Sequence, residues 1–101
     1  MGKIDEDAAY SLMWGLPFNR GNTKVNTYSD GSREMILHGN CIAWITYDNR
    51  MYISHSGWMT RTTKSRLNAL PSVNIKQREF MWFLNGNYWT GTRTEIRRWN
   101  R

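Results

Sequence analysis

Few residue types in this chain are able to do covalent chemistry. Cys41, His38, His55 and Asp48 are the available set for a nucleophile, a base and an orienting acid. Cys41 lies in "CIAWITY", the most apolar stretch, where a thiol reads as a buried, inert side chain. His38 and Cys41 form an H-x-x-C pair, which is half a zinc site with no second pair at ligand spacing. His55 sits between Ser54 and Ser56 and reads as a surface or turn histidine, with a general base as the alternative. Asp5, Glu6 and Asp7 cluster where a helix would start, so they do not read as a catalytic carboxylate pair. "HGN" and "NGN" read as turns, and no glycine-rich loop matches a nucleotide-binding pattern. The expectation is a non-enzymatic protein with no metal and no cofactor.

Anion-binding residues are more numerous. Residues 1–58 carry five basic and six acidic side chains, whereas residues 59–101 carry nine basic ones against Glu79 and Glu95, a net of +7. Such asymmetry points to a polyanionic partner, with a solvated basic face as the bland alternative. In "GWMTRTTKSRLNALP" (57–71), Arg61, Lys64 and Asn68 share one helical face, and Thr60 and Thr62 stand at the helix start. Free N–H groups, hydroxyls and cations at one helix end suit a phosphate. Lys76 and Arg78 follow, and Arg93, Arg97, Arg98 and Arg101 form an Arg-rich terminus around Trp99. Cations beside aromatics suit single-stranded nucleic acid, with bases stacking and phosphates pairing. Trp89 and Trp99 are the expected exposed aromatics. Trp44 and Trp82 are assigned to the core, and Trp58 to anchoring the helix.

The elements that position these residues follow from local pattern. "DEDAAYSLMW" (5–14) predicts a short helix, with acids in its first turn and Gly15 at its end. Residues 15–23 read as a loop. Strands are predicted at 24–29, 33–38, 41–47 and 51–55, separated by Asp30-Gly31, Gly39-Asn40 and Asp48-Asn49-Arg50, a four-strand antiparallel meander. Thr60 or Thr62 caps a helix that Pro71 stops, with Thr63, Leu67 and Leu70 facing the core and the stem of Arg66 lying beside that stripe. Strands return at 73–77, 79–84 and 88–92, the last two joined by the hairpin signal Asn85-Gly86. "RTEIRRWNR" is a short helix or a mobile arm.

With 101 residues, the chain is expected to form one domain over 1–92, of which 1–20 is a peripheral helical segment, followed by a basic tail at 93–101. The predicted fold class is α+β: a small antiparallel sheet, meander plus C-terminal hairpin, with one main helix packed on it. Six Trp, five Tyr and three Phe can supply much of so small a core. The single Cys41 forbids an internal disulfide and fits a reducing compartment. No run approaches the roughly 20 apolar residues of a membrane span, and the acidic N-terminus has no apolar signal region.

Three segments, "LHGNCIA" (37–43), "ISHSGWMTRTTKSRLNALP" (53–71) and "FLNGNYWTG" (83–91), resemble a family of small proteins encoded by tailed bacteriophages. The resemblance covers roughly residues 22–91, leaving the first twenty residues and the Arg-rich tail as individual features. It implies a protein acting in the cytoplasm of an infected bacterium and carries over no catalytic residue. Nucleic acid, or a host nucleoprotein complex, is the expected partner. The rival is a host-takeover or anti-defence inhibitor that grips one host protein, for which an exposed Trp89/Trp99 patch rimmed by Arg would be the signature.

Overall fold

The computed structural model describes residues 2–99. The chain runs α1 (Lys3–Trp14), β1 (Phe18–Arg20), β2 (Thr23–Thr27), β3 (Arg33–Leu37), β4 (Asn40–Ile45), β5 (Met51–Ile53), α2 (Arg61–Asn68), β6 (Ile75–Arg78), β7 (Met81–Leu84), β8 (Asn87–Trp89) and β9 (Thr94–Ile96). The class is α+β, as its segment pattern predicts. The strands form two antiparallel sheets: a six-stranded one in the order β1-β2-β3-β4-β5-β9 and a three-stranded one in the order β6-β7-β8.

In the large sheet, alternate residues divide between two faces. Val25, Met35, Ala43 and Ile53 share one cross-strand row, and Ile45, Met51 and Ile96 share the next. All of these are buried. Between Met35 and Ile36 the register slips against β4, so the buried Ile42 is the extra residue of a bulge. The opposite face carries Glu34, Trp44, Tyr52 and Glu95 in one row.

The N-terminal segment is not peripheral. Ala8, Ala9 and Leu12 are buried in the same cluster as the sheet residues, and the two alanines are small enough to let α1 lie close to it. α1 is also the longer helix, with 12 residues against 8 in α2. Gly15 ends α1 at φ 69°, the left-handed conformation glycine adopts without strain. Arg33, from β3, then donates through Nε to the Leu12 carbonyl and through Nη2 to that of Met13, both at 2.6 Å. A cation therefore satisfies two orphan carbonyls at the negative end of the helix.

Arg66 also departs from expectation. It is buried, and its guanidinium forms an ion pair with the buried Asp5 of α1. Its Nε donates to Thr23 Oγ1 at 3.0 Å and its Nη2 to Asn22 Oδ1 at 3.2 Å. Asp5 accepts in addition from the Gly2 N–H at 2.8 Å and from Ser65 Oγ at 2.6 Å. One satisfied polar network thus joins α1, β2 and α2. Burial pushes the Asp5 carboxyl up, but the hydrogen bonds from Ser65, Gly2 and Arg66, together with the Arg66 charge, outweigh it and hold the group below the usual carboxylate range.

The expected basic tail is a strand through part of its length. β9 pairs with β5 at the edge of the large sheet, and Ile96 enters the core. Arg101 lies outside the described residues.

Candidate functional site

The three-stranded sheet is built by two tight turns. At Asn85-Gly86 both residues have positive φ (50° and 90°), as the sequence predicts for this hairpin signal. The Asn85 side chain accepts from the Asn74 N–H at 2.9 Å and donates to the Ser72 carbonyl at 2.9 Å, which fixes the entry to β6. The second turn, Glu79-Phe80, falls inside what reads as a strand at 79–84. Both residues again have positive φ (53° and 67°), so β7 begins at Met81.

Cross-strand pairing sorts the residues of this sheet into two rows. Gln77, Trp82 and Trp89 lie in register, and Ile75 pairs with Leu84. This face is turned inward: Ile75, Trp82, Leu84 and Trp89 are buried. Trp82 and Trp89 stack with centroids 6.2 Å apart, and the His55 ring meets Trp82 edge-on at 5.8 Å. The indole N–H groups are satisfied, Trp82 by Gln77 Oε1 at 3.3 Å and Trp89 by Thr94 Oγ1 at 2.8 Å. Trp89 is therefore not the exposed aromatic that the sequence suggests. Its place opposite Trp82 puts it in the core.

The outward row holds Lys76, Phe83 and Tyr88 in register, with Arg78 paired to Met81 beside them. Lys76, Arg78, Met81 and Tyr88 are exposed, and Phe83 is half-buried. The Arg78 guanidinium lies 4.8 Å from the Phe83 centroid, and Phe83 meets Tyr88 edge-to-face at 6.1 Å. A groove of about 480 Å³ runs along β6 beside this face, lined by Asn74, Lys76, Gln77, Arg78, Phe83 and Gly86. Two cations and two aromatic rings thus share one open surface. Cations of this kind pair with phosphates, and rings of this kind accept stacked bases. Phe83 and Tyr88 are absent from the sequence-based set. The signal for them is the alternation in "MWFL", which forces Phe83 to face opposite to Trp82.

The α2 and C-terminal residues of the sequence-based set sit in several different settings. Thr60 caps α2, its Oγ1 accepting from the Thr63 N–H at 3.2 Å, so this hydroxyl serves the fold. Arg61 is exposed, Lys64 is half-buried, and Thr62 lines a small cleft with Trp58, Leu37 and Ile42. Trp58 is 54% exposed, so it is not a buried anchor of the helix; it lies at the rim of the cleft beside the helix start. Asn68 does not face outward as a reading residue. Its Nδ2 donates to the Ile75 carbonyl at 3.0 Å and its Oδ1 accepts from the Ile75 N–H at 2.6 Å. The Asn74 carbonyl accepts from the Asn85 N–H across the hairpin, so the Ile75 groups point to the free edge of β6. Asn68 closes that edge at its first rung.

Among the C-terminal cations, the Arg93 guanidinium lies 4.4 Å from the Tyr52 centroid and 5.2 Å from that of Trp44, on the open face of the large sheet. Arg97 and Arg98 are exposed in the turn after β9, while Trp99 packs half-buried against the core and donates to the Asn49 carbonyl at 3.2 Å. The chemistry-bearing residues are likewise tied into the fold. His55 Nδ1 accepts from the Gly57 N–H at 3.0 Å, which places its ring proton on Nε2. Cys41 is only partly buried, yet that burial, with Glu34 nearby, pushes its thiol up to about 11.

The model of the Kyanoviridae Gp96 protein family matches residues 1–99. The match takes in α1 and β9, so the first twenty residues and most of the Arg-rich terminus are family features rather than additions peculiar to this chain. No curated protein and no solved structure matches.

Proposed function

The chain belongs to the Kyanoviridae Gp96 protein family, a phage protein family, and from that premise we propose that it is a non-enzymatic protein that binds single-stranded nucleic acid in the cytoplasm of the infected bacterium. The observation that carries this reading is the outer face of the β6–β8 sheet, where Lys76 and Arg78 adjoin Phe83 and Tyr88 with no acidic side chain in either outward-facing row. Phosphates would pair with the two cations, and bases would stack on the rings. The proposed surface keeps Lys76 and Arg78 from the sequence-based set and replaces the C-terminal aromatics by Phe83 and Tyr88. Arg61 and Lys64 of α2 remain available for further backbone contacts. The surroundings of His55 and Cys41 support a non-enzymatic role, since the His55 ring is wedged against Trp82 and the Cys41 thiol is held protonated.

Fluorescence anisotropy with labelled single-stranded DNA, RNA and duplex DNA at two salt concentrations tests the reading. Two phosphate contacts predict a slope of log K against log salt near −1.4, at roughly 0.7 per phosphate for single strands. Lys76→Ala/Arg78→Ala should flatten that slope, and Tyr88→Ala should weaken binding at every salt concentration. Absence of binding to all three ligands at low salt would refute the reading. The alternative, a protein that blocks a host protein, draws on a different surface. Tyr10 and Trp14 of α1 are both exposed, with ring centroids 6.2 Å apart, the residue types that dominate protein interfaces.

A further inference from the structure

We infer that Phe80, at the tip of the β6–β7 hairpin, is a third stacking residue of the same surface and takes an unpaired base next to those held by Phe83 and Tyr88. This inference rests on the reading of the β6–β8 face as a nucleic-acid surface.

The β6–β7 turn carries a cost that the fold does not require. The Glu79-Phe80 turn has positive φ at both residues, 53° and 67°. A two-residue hairpin turn of this kind is satisfied without strain by Asn-Gly or Asp-Gly. The other turn of the same sheet is built that way, with Asn85 at 50° and Gly86 at 90°. At the first turn a phenylalanine Cβ occupies the left-handed region, where bulky side chains are strained. Burial does not compensate, because Phe80 is 88% exposed, the most exposed of the large apolar side chains among the described residues. Neither turn propensity nor core packing accounts for a phenylalanine here.

Its position does account for it. The turn follows directly on the Arg78–Met81 pair, which belongs to the outward face. Phe80 therefore stands exposed at the hairpin tip, two residues after Arg78, which lines the groove with Phe83. An exposed ring at the end of a strand that carries two cations is a stacking station for a base whose faces are free. A base inside a duplex has both faces covered by its neighbours, so Phe80 favours single strands over duplexes.

The test compares the wild type with Phe80→Gly, Phe80→Trp and Tyr88→Ala. It measures melting temperature and anisotropy with a labelled oligo(dT) of about ten nucleotides, within the usual site size, and with the matching duplex. Glycine relieves the strain at φ 67°. Phe80→Gly should therefore melt at or above the wild-type temperature yet bind oligo(dT) about fivefold to a hundredfold more weakly, the range of one lost stack. Its duplex affinity should not change, and Phe80→Trp should bind oligo(dT) like the wild type. If Phe80→Gly melts lower, the ring serves the fold and the inference fails. If Phe80→Gly binds oligo(dT) normally while Tyr88→Ala does not, Phe80 has no part in binding and the reading of the sheet face stands. If the wild type binds neither probe, both fail together.

Discussion

Replacing Asp5 by Ala should destabilise the protein by about 3–5 kcal/mol, the usual consequence of leaving one half of a buried ion pair without its partner. The magnitude follows from the surroundings of the pair. Asp5 is 2% exposed and Arg66 8%, so water cannot replace the lost carboxylate. Arg66 would keep its bonds to Thr23 and Asn22, but these are neutral acceptors and do not balance its charge. Ser65 Oγ and the Gly2 N–H would lose their acceptor as well. A domain of this size has a total stability of about 5–15 kcal/mol, so the loss is a large fraction of the whole. In thermal denaturation followed by circular dichroism, 3 kcal/mol corresponds to a fall of roughly 12 °C or more. The double variant Asp5→Leu/Arg66→Met should be more stable than Asp5→Ala, because it leaves no unpaired buried charge. The pair also sets an acid limb. The folded Asp5 carboxyl titrates below its unfolded value of about 3.9. Its contribution is complete above that pH and is lost as pH falls through the lower folded value. Asp5→Ala should flatten this part of the stability–pH curve. A loss below about 1 kcal/mol for Asp5→Ala, with the acid limb intact, would show that the network does not hold α1 to α2, and the reasoning would fail.

Two further expectations concern the junction between the sheets and the edge of the smaller one. Gly91→Ala would place a Cβ 1.9 Å from His55 Cδ2 at φ +86°, which the backbone and the His55 ring cannot both accommodate. A loss of about 3 kcal/mol or more is expected from combined overpacking and backbone strain, with a change in the near-ultraviolet circular dichroism of the Trp82–Trp89 pair. A near-neutral effect would mean that His55 moves freely. Asn68→Ala should lower stability by about 1–3 kcal/mol through the exposed needs of the Ile75 N–H and carbonyl, while leaving nucleic-acid affinity per folded molecule unchanged. A selective loss of affinity in that variant would restore Asn68 to the binding surface.

Much of the secondary structure was legible because its signals are local. Thr60 before the helix, Pro71 after it, Asn85-Gly86 between two strands and the alternating segments from 24 to 55 each act within a few residues. The features that departed from local pattern depend on distant contacts or lack a local signal. Arg66 lies beside an apolar stripe on a helical wheel, and only a carboxylate 61 residues earlier makes its burial tolerable. Residues 94–96 contain too little pattern to announce a strand, and they become one because the edge of β5 lies open to them. Asn68 is polar and on the right helical face to be called exposed, yet the unpaired edge of β6 claims it. The Glu79-Phe80 turn carries no turn residue at all, so it vanishes into the adjoining strand.

The candidate surface shows where sequence stops and tertiary structure begins. The sequence by itself determined that the second half is basic and that "MWFL" lies in a strand, whose period of two gives two rows; Arg78, which falls between the strands expected at 73–77 and 79–84, joins Lys76 on one strand face only in the structure. The sequence did not determine which row meets solvent, because Met81 and Phe83 are as apolar as Trp82 and Leu84. A period of two separates the rows without giving them a sign. The sign comes from His55, brought up by the strand that ends at Ile53 and seated against the Gly91 backbone, where the Trp82–Trp89 stack can close over it. Once that pair turns inward, Phe83 and Tyr88 must turn outward beside the two cations. Only the packing of one sheet against the other makes that choice, since it depends on contacts between segments some thirty residues apart.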